Sequence, residues 1–230
     1  GHPHVKVMTE ERELTVMLVV DASASGRFGS GARYKSELVA ELGAVLAHAA
    51  IKNNDRVGLL IFTDEVELFV RPQKGRKHVL RVIREILCHE PTRRGTNIAR
   101  ALDYLNQVVK RRAVVFVISD FMDEDYETAL RMTRRKHDTI AVAIDDPREL
   151  TLPDVGVIAV QDSETGETGI VDTHRAALRR DYAEDARIRL ETRRALMERL
   201  RVDLITLEVE EDYVRALHRF FRMRERRMLA

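Results

Sequence analysis

The residues of this chain best suited to chemistry lie at three places. Asp21-Ala-Ser23-Ala-Ser25 sets two hydroxyls at alternate positions behind a carboxylate, Arg93-Arg-Gly95-Thr96-Asn97 supplies a third hydroxyl, and Ser119-Asp120 a second carboxylate. In an extended loop residues two apart project to one side, so Asp21, Ser23 and Ser25 aim three oxygens at a common point. All are hard oxygen donors, with no imidazole or thiolate among them, which suits Mg²⁺ or Mn²⁺ rather than zinc or copper. Two carboxylates and three neutral hydroxyls make a weakly charged cage. A dication held there keeps net positive charge and an open or water-filled position, and one more carboxylate, from a partner, would complete it.

Taken singly these are ordinary cap and turn residues: Asp21 ends a strand, Ser23 and Ser25 suit a turn, and Thr96 suits a helix N-cap. Their joint position singles them out. Leu14–Val20 is a short apolar, β-branched run that reads as a strand buried on both faces, and Ala113–Ile118 is a second. Each ends at an acid, Asp21 or Asp120, and Thr139–Ile144 ends likewise at Asp145 and Asp146. Further strands are expected at Val57–Phe62, at Val66–Val70 as a hairpin partner closed by Pro72 at a sheet edge, and at Val202–Leu207. Helical spacing marks stretches near 33–51, 79–87, 97–108, 124–136, 174–199 and 212–227, and Val155–Val160 with Gly169–Val171 flank Glu164-Thr-Gly-Glu167 as an exposed hairpin. Alternating strands and helices predict an α/β fold of Rossmann-like type: a central, mostly parallel sheet with one antiparallel edge strand and helices on both faces. In such sheets ligands bind where the carboxyl ends of the strands meet their loops, where the candidate residues fall. Residues 1–10 read as a tag remnant or lead-in and 11–230 as one domain, with no Pro/Gly/Ser linker to divide it.

Composition narrows the function. Among 230 residues, 39 Lys+Arg oppose 38 Asp+Glu for a net charge of +1, so blanket coating of nucleic acid is excluded. Aromatics at 5% offer no stacking platform for single strands. Hydrophobic residues at 44% suffice for a core, the single cysteine suits a reducing, cytoplasmic setting, and no apolar run approaches membrane-spanning length. The balance hides segregation: residues 71–94 carry eight Lys/Arg against two acids, residues 222–227 carry four Arg, and residues 120–127 hold five acids and no base. These stretches are expected as docking patches flanking the metal.

Other chemistries fit less well. A carboxylate after a first strand also suits a metal-dependent phosphohydrolase with Asp21 as nucleophile, but the general acid two residues on is here Ser23. Gly26-Arg-Phe-Gly-Ser-Gly31 with Lys35-Ser36 lacks the Lys that must directly follow the closing glycine of a phosphate loop. Cys88 and His89 stand without companions and read as structural, and His48, His78, His137, His174 and His218 show no metal spacing.

The pattern resembles the von Willebrand factor A-like domains, whose metal-ion-dependent adhesion site has an Asp-x-Ser-x-Ser loop, a later Thr and a later Asp; here these match Asp21, Ser23, Ser25, Thr96 and Asp120. More narrowly the chain is similar to the bacterial domain-of-unknown-function 58 family, on Glu11-Arg-Glu-Leu-Thr-Val16, Gly95-Thr96, Ile118-Ser-Asp120-Phe and Phe220-Phe-Arg-Met-Arg-Glu-Arg-Arg227. Gly26 departs from the Met common there and touches no proposed ligand. The resemblance implies a non-enzymatic, metal-dependent protein-binding module. Ser23, Ser25 and Thr96 would bind Mg²⁺ (or Mn²⁺ or Ca²⁺) through hydroxyls, with Asp21 and Asp120 direct or water-bridged. It further implies a protein partner supplying an acid, a MoxR-type AAA+ ATPase alongside, and a longer, membrane-anchored protein of which this is the C-terminal portion.

Overall fold

The computed structural model describes residues 13–27, 33–163 and 165–229. The lead-in 1–10, Glu11 and Arg12 of the family pattern, residues 28–31 of the glycine-rich loop, and Glu164 lie outside the described residues. In chain order the strands are β1 (Thr15–Asp21), β2 (Arg56–Phe62), β3 (Val66–Gln73), β4 (Val114–Ser119), β5 (Asp138–Asp145), β6 (Val157–Gln161), β7 (Thr168–Asp172) and β8 (Asp203–Glu208). The helices are α1 (Lys35–Lys52), α2 (Arg76–Cys88), α3 (Ile98–Val108), α4 (Glu127–Lys136), α5 (Pro147–Leu150), α6 (Ala176–Leu200) and α7 (Tyr213–Leu229).

Six strands form one sheet in the order β3-β2-β1-β4-β5-β8, and only the β2–β3 pair is antiparallel. The expected edge strand is β3. It runs through Pro72 to Gln73 rather than closing there, because a strand at the sheet's edge has a side on which proline's missing N–H is not needed. The predicted hairpin is β6 and β7, paired antiparallel apart from the main sheet.

Strand periodicity divides the core in two. Val16, Leu18 and Val20 of β1 face a cluster with Leu38 and Leu42 of α1, Val79 and Val82 of α2, and Leu217 and Phe220 of α7. Met17 and Val19 face the other way, onto Ile98, Leu102 and Leu105 of α3, Leu130 of α4 and Met197 of α6. A strand covered on both faces must be apolar at every position, which is why β1 reads as an unbroken run. Close packing also explains Gly58 in β2: a Cβ there would lie 2.4 Å from the buried Met17 sulfur and 2.9 Å from the Pro72 ring.

From β1 the chain builds outward through β2 and β3, then crosses to start β4 on β1's other side. The strand order therefore reverses between β1 and β4, and the crevice at their carboxyl ends is where such sheets bind ligands. Asp21 ends β1 and Ser119 ends β4.

Candidate metal centre

The Asp21–Ser25 loop converges its oxygens, though not by being extended. Ala24–Arg27 form a 3₁₀ turn. Asp21 Oδ1 accepts the Ser23 N–H at 2.9 Å, and this turn-closing bond and the 3₁₀ turn bring the Ser23 and Ser25 hydroxyls within 2.9 Å of each other. The side chains meet by tight turning rather than by two-residue alternation. Asp21 Oδ2 accepts the Ser119 hydroxyl at 2.6 Å, stitching β1 to β4 across the crevice.

Asp120 follows at once and is held from several sides. Its Oδ1 accepts the Met122 N–H at 3.2 Å and its Oδ2 accepts from Lys35 Nζ at 3.1 Å, while its carbonyl accepts from Arg193 at 2.9 Å. Phe121 adopts φ 57, strained for a bulky side chain, and its N–H returns to the Ser119 hydroxyl at 3.1 Å. Burial, together with the like charge of Asp120, pushes the Asp21 carboxyl up to about 6.

Thr96 stands one residue before Asn97, whose side chain caps α3 by accepting the Arg100 N–H at 2.8 Å. Two main-chain bonds bracket it, Ala24 N–H to the Arg94 carbonyl and Asn97 N–H to the Thr63 carbonyl, each 2.9 Å. They fasten the 91–97 loop to the serine loop and to the end of β2. Asp21, Ser23, Ser25 and Asp120 are thus joined at one edge, with Thr96 on a loop bonded to theirs.

Residues 1–192 match the family described as protein of unknown function DUF58. The chain belongs to the DUF58 family. Uncharacterised proteins of Mycobacterium tuberculosis and Mycobacterium bovis are each 31% identical to it over 232 residues, covering 100% of this chain and 73% of theirs. Among solved structures, the conserved hypothetical protein BatB of Bacteroides thetaiotaomicron superposes with TM-score 0.58 at 14% identity, over 92% of this chain and 98% of that one. An aerotolerance-related membrane protein of Bacteroides fragilis gives 0.57 at 15% identity, over 89% and 96%. At these identities the likeness is one of fold, and this DUF58 chain has the von Willebrand factor A-like fold that its Asp-x-Ser-x-Ser pattern implied.

The residues present fit a hard divalent cation. Two neighbouring carboxylates, one raised partly by the other, form negative charge that a cation would relieve, and carboxylate oxygens that each accept one hydrogen bond keep lone pairs for an ion. Among the described residues no three His, Cys, Asp or Glu side chains gather as a metal cluster. The candidate centre would rest instead on two acids and hydroxyls, a donor set without the soft ligands copper and structural zinc prefer.

Several neighbours of the candidate centre were not legible in the sequence. Lys35, dismissed with the imperfect phosphate loop, is buried between Asp120 and Glu149. Arg193 pairs with Asp145 through two bonds of 2.8 and 2.6 Å. Glu67 of β3 accepts from Thr63, His89, the Thr92 amide and hydroxyl, and the Arg93 amide, which anchors the loop leading to Thr96. These donors outweigh its burial and hold its carboxyl below the usual range. The spacing of charges in sequence carried no sign of these pairings.

The expected flanking patches need correction. Arg224 pairs with Asp138 and Asp203, and Arg227 with Asp203, the first residues of β5 and β8. The arginine-rich tail therefore lies at the amino edge of the sheet, opposite the candidate metal centre, because α7 packs antiparallel along β8. The acidic 120–127 stretch does border the centre, and Asp120, Asp123, Glu124 and Glu149 line a cleft of about 300 Å³ beside it. Cys88 is exposed, and His89 serves Glu67.

Proposed function

We propose that this DUF58 chain is a non-enzymatic, divalent-metal-dependent protein-binding and assembly module. The observation that carries this reading is the junction at the β1–β4 crevice, where Asp21, Ser23, Ser25 and the Asp120 carboxylate come together around surplus negative charge. Ser23, Ser25 and Thr96 would hold Mg²⁺, or Mn²⁺ or Ca²⁺ in its place, through hydroxyls, with Asp21 and Asp120 direct or through water. A bound ion supplies an electrophilic position for a carboxylate. A partner's acidic side chain would suit that position, since two carboxylates and three neutral hydroxyls would leave a dication with positive charge still to be met.

The phosphohydrolase alternative has less support. Ser23, where that chemistry needs a general acid, carries a hydroxyl that bonds Ser25 and is too weak an acid for the role. A MoxR-type AAA+ ATPase in the cytoplasm is the proposed working companion, on the strength of the family resemblance. Among the described residues no helix is long and apolar enough to cross a membrane.

The test is thermal. Mg²⁺ or Mn²⁺ is expected to raise the melting temperature of the wild-type protein and to leave Asp21→Ala unmoved; equal shifts in both proteins would reject the metal centre. Metal-dependent release of phosphate from an aryl phosphate, lost in Asp21→Asn, would instead establish the enzyme.

A further inference from the structure

Lys35 begins α1 and, at 2% exposed, is a fully buried lysine. Its ammonium lies 3.1 Å from Asp120 Oδ2 and 2.5 Å from Glu149 Oε1, so it bridges the end of β4 to the short helix α5. Glu149 is fixed in turn, its second oxygen accepting the Asp146 N–H at 3.2 Å. Burial works against charge on Lys35, yet the two carboxylates prevail and hold its pKa above the ordinary lysine value. A buried ammonium is a weak device for stability, since an apolar side chain of similar volume commonly serves as well. Its position is informative: a permanent cation already sits on one oxygen of a candidate metal ligand.

We propose that Lys35 is a positioning residue that sets the strength of the metal centre, holding Asp120 Oδ2 away from the ion and cancelling one of the three nearby carboxylate charges. The inference rests on the metal-binding reading above. Within the cluster of Asp21, Asp120, Glu149 and Lys35 the net charge is minus two, and Asp123 and Glu124 add negative charge along the adjoining cleft. With the Met122 N–H on Oδ1 and Lys35 on Oδ2, both Asp120 oxygens are engaged, so Asp120 would offer an ion only what these bonds leave. An ion there would be held loosely and would still favour an outside carboxylate. Removing the ammonium leaves net charge of three and a free Asp120 oxygen; removing the Glu149 charge leaves a net of one and commits Lys35 wholly to Asp120.

Affinity for Mn²⁺ alone, measured on EDTA-stripped protein by calorimetry and by the electron-spin signal of free Mn²⁺, should follow that charge order. Lys35→Met is expected to bind about tenfold tighter than wild type and Glu149→Gln about tenfold weaker. The double variant, with the wild-type net charge, and Lys35→Arg should both fall within about threefold of wild type. Circular dichroism checks the fold of each. If Lys35→Met does not fold, Glu149→Gln decides alone: weaker binding supports the proposal, and unchanged or tighter binding overturns it. Wild type that binds Mn²⁺ no more weakly than Lys35→Met overturns the proposal and leaves the metal centre standing, whereas no binding by any of the proteins overturns both.

Discussion

Asp21 carries both the candidate chemistry and an electrostatic penalty. With its pKa raised from 3.8 to about 6, its ionised form destabilises the metal-free fold, and that loss grows as pH rises through 4 to 6. A cation reverses the sign by stabilising the ionised form, so proton and metal compete for the same oxygens. From a pKa near 6, apparent Mn²⁺ affinity at pH 5.5 should be about fourfold weaker than at pH 7.5. A titration showing the same affinity at both values would remove Asp21 from the metal. His137 behaves in the opposite sense. It is 1% exposed, and its pKa is lowered to about 4 by burial and then by Lys136 and Arg112, while Nδ1 accepts the Ala113 N–H at 3.3 Å. The unfolded chain takes up a proton near pH 6.5 that the folded one refuses until about 4. Stability is therefore lost as pH falls through that window, by at most about 3 kcal/mol, and His137→Gln should flatten this part of a pH–stability curve measured by urea melts.

Elements put these residues in place, and Glu67 shows how an edge strand positions a loop. One carboxylate on β3 accepts from five groups spanning Thr63, His89, Thr92 and Arg93. Glu67→Gln replaces one acceptor oxygen with a donor and is expected to cost about 2–3 kcal/mol, with faster amide exchange at Thr92 and Arg93 and weaker metal binding through Thr96. Unchanged exchange at those amides would show that the loop is held by other means. The strands and helices themselves were legible, because apolar runs at period 2 and stripes at period 3.6 are local signals, and β1, β4 and β5 announce their burial in consecutive β-branched residues. Asp21, Ser23 and Ser25 were legible for the same reason: they are close in sequence. Their geometry was not, since the 3₁₀ turn at Ala24–Arg27 depends on bonds made by the Asp21 carboxyl and by loop 91–97. Lys35, Glu149 and Arg193 were illegible because their partners lie 85, 114 and 48 positions away, and pairing over such distances is decided by topology.

At the scale of the molecule, charge is sorted by the direction of the sheet. Carboxyl ends of β1, β4 and β5 gather Asp21, Asp120 and Asp145 at one edge, while α7, running back along β8, carries its arginines to Asp138 and Asp203 at the other. A six-residue strand spans about 20 Å, more than twice the Debye length of about 8 Å at physiological salt, so the two edges scarcely feel each other. Exposed charges near the metal should act on it and distant ones should not. Glu124→Gln with Asp125→Asn, a few residues beyond Asp120, is expected to weaken Mn²⁺ binding by about two- to threefold at low salt, an effect that vanishes near about 0.5 M salt. Asn suits position 125 because that backbone has φ 59, a conformation it tolerates. Arg222→Gln with Arg226→Gln should leave binding unchanged at both salt concentrations. If neutralising those arginines tightened or loosened Mn²⁺ as much as neutralising the two acids, the two edges would be coupled through the fold, and recognition at α7 would have to be read as part of the metal centre's own function.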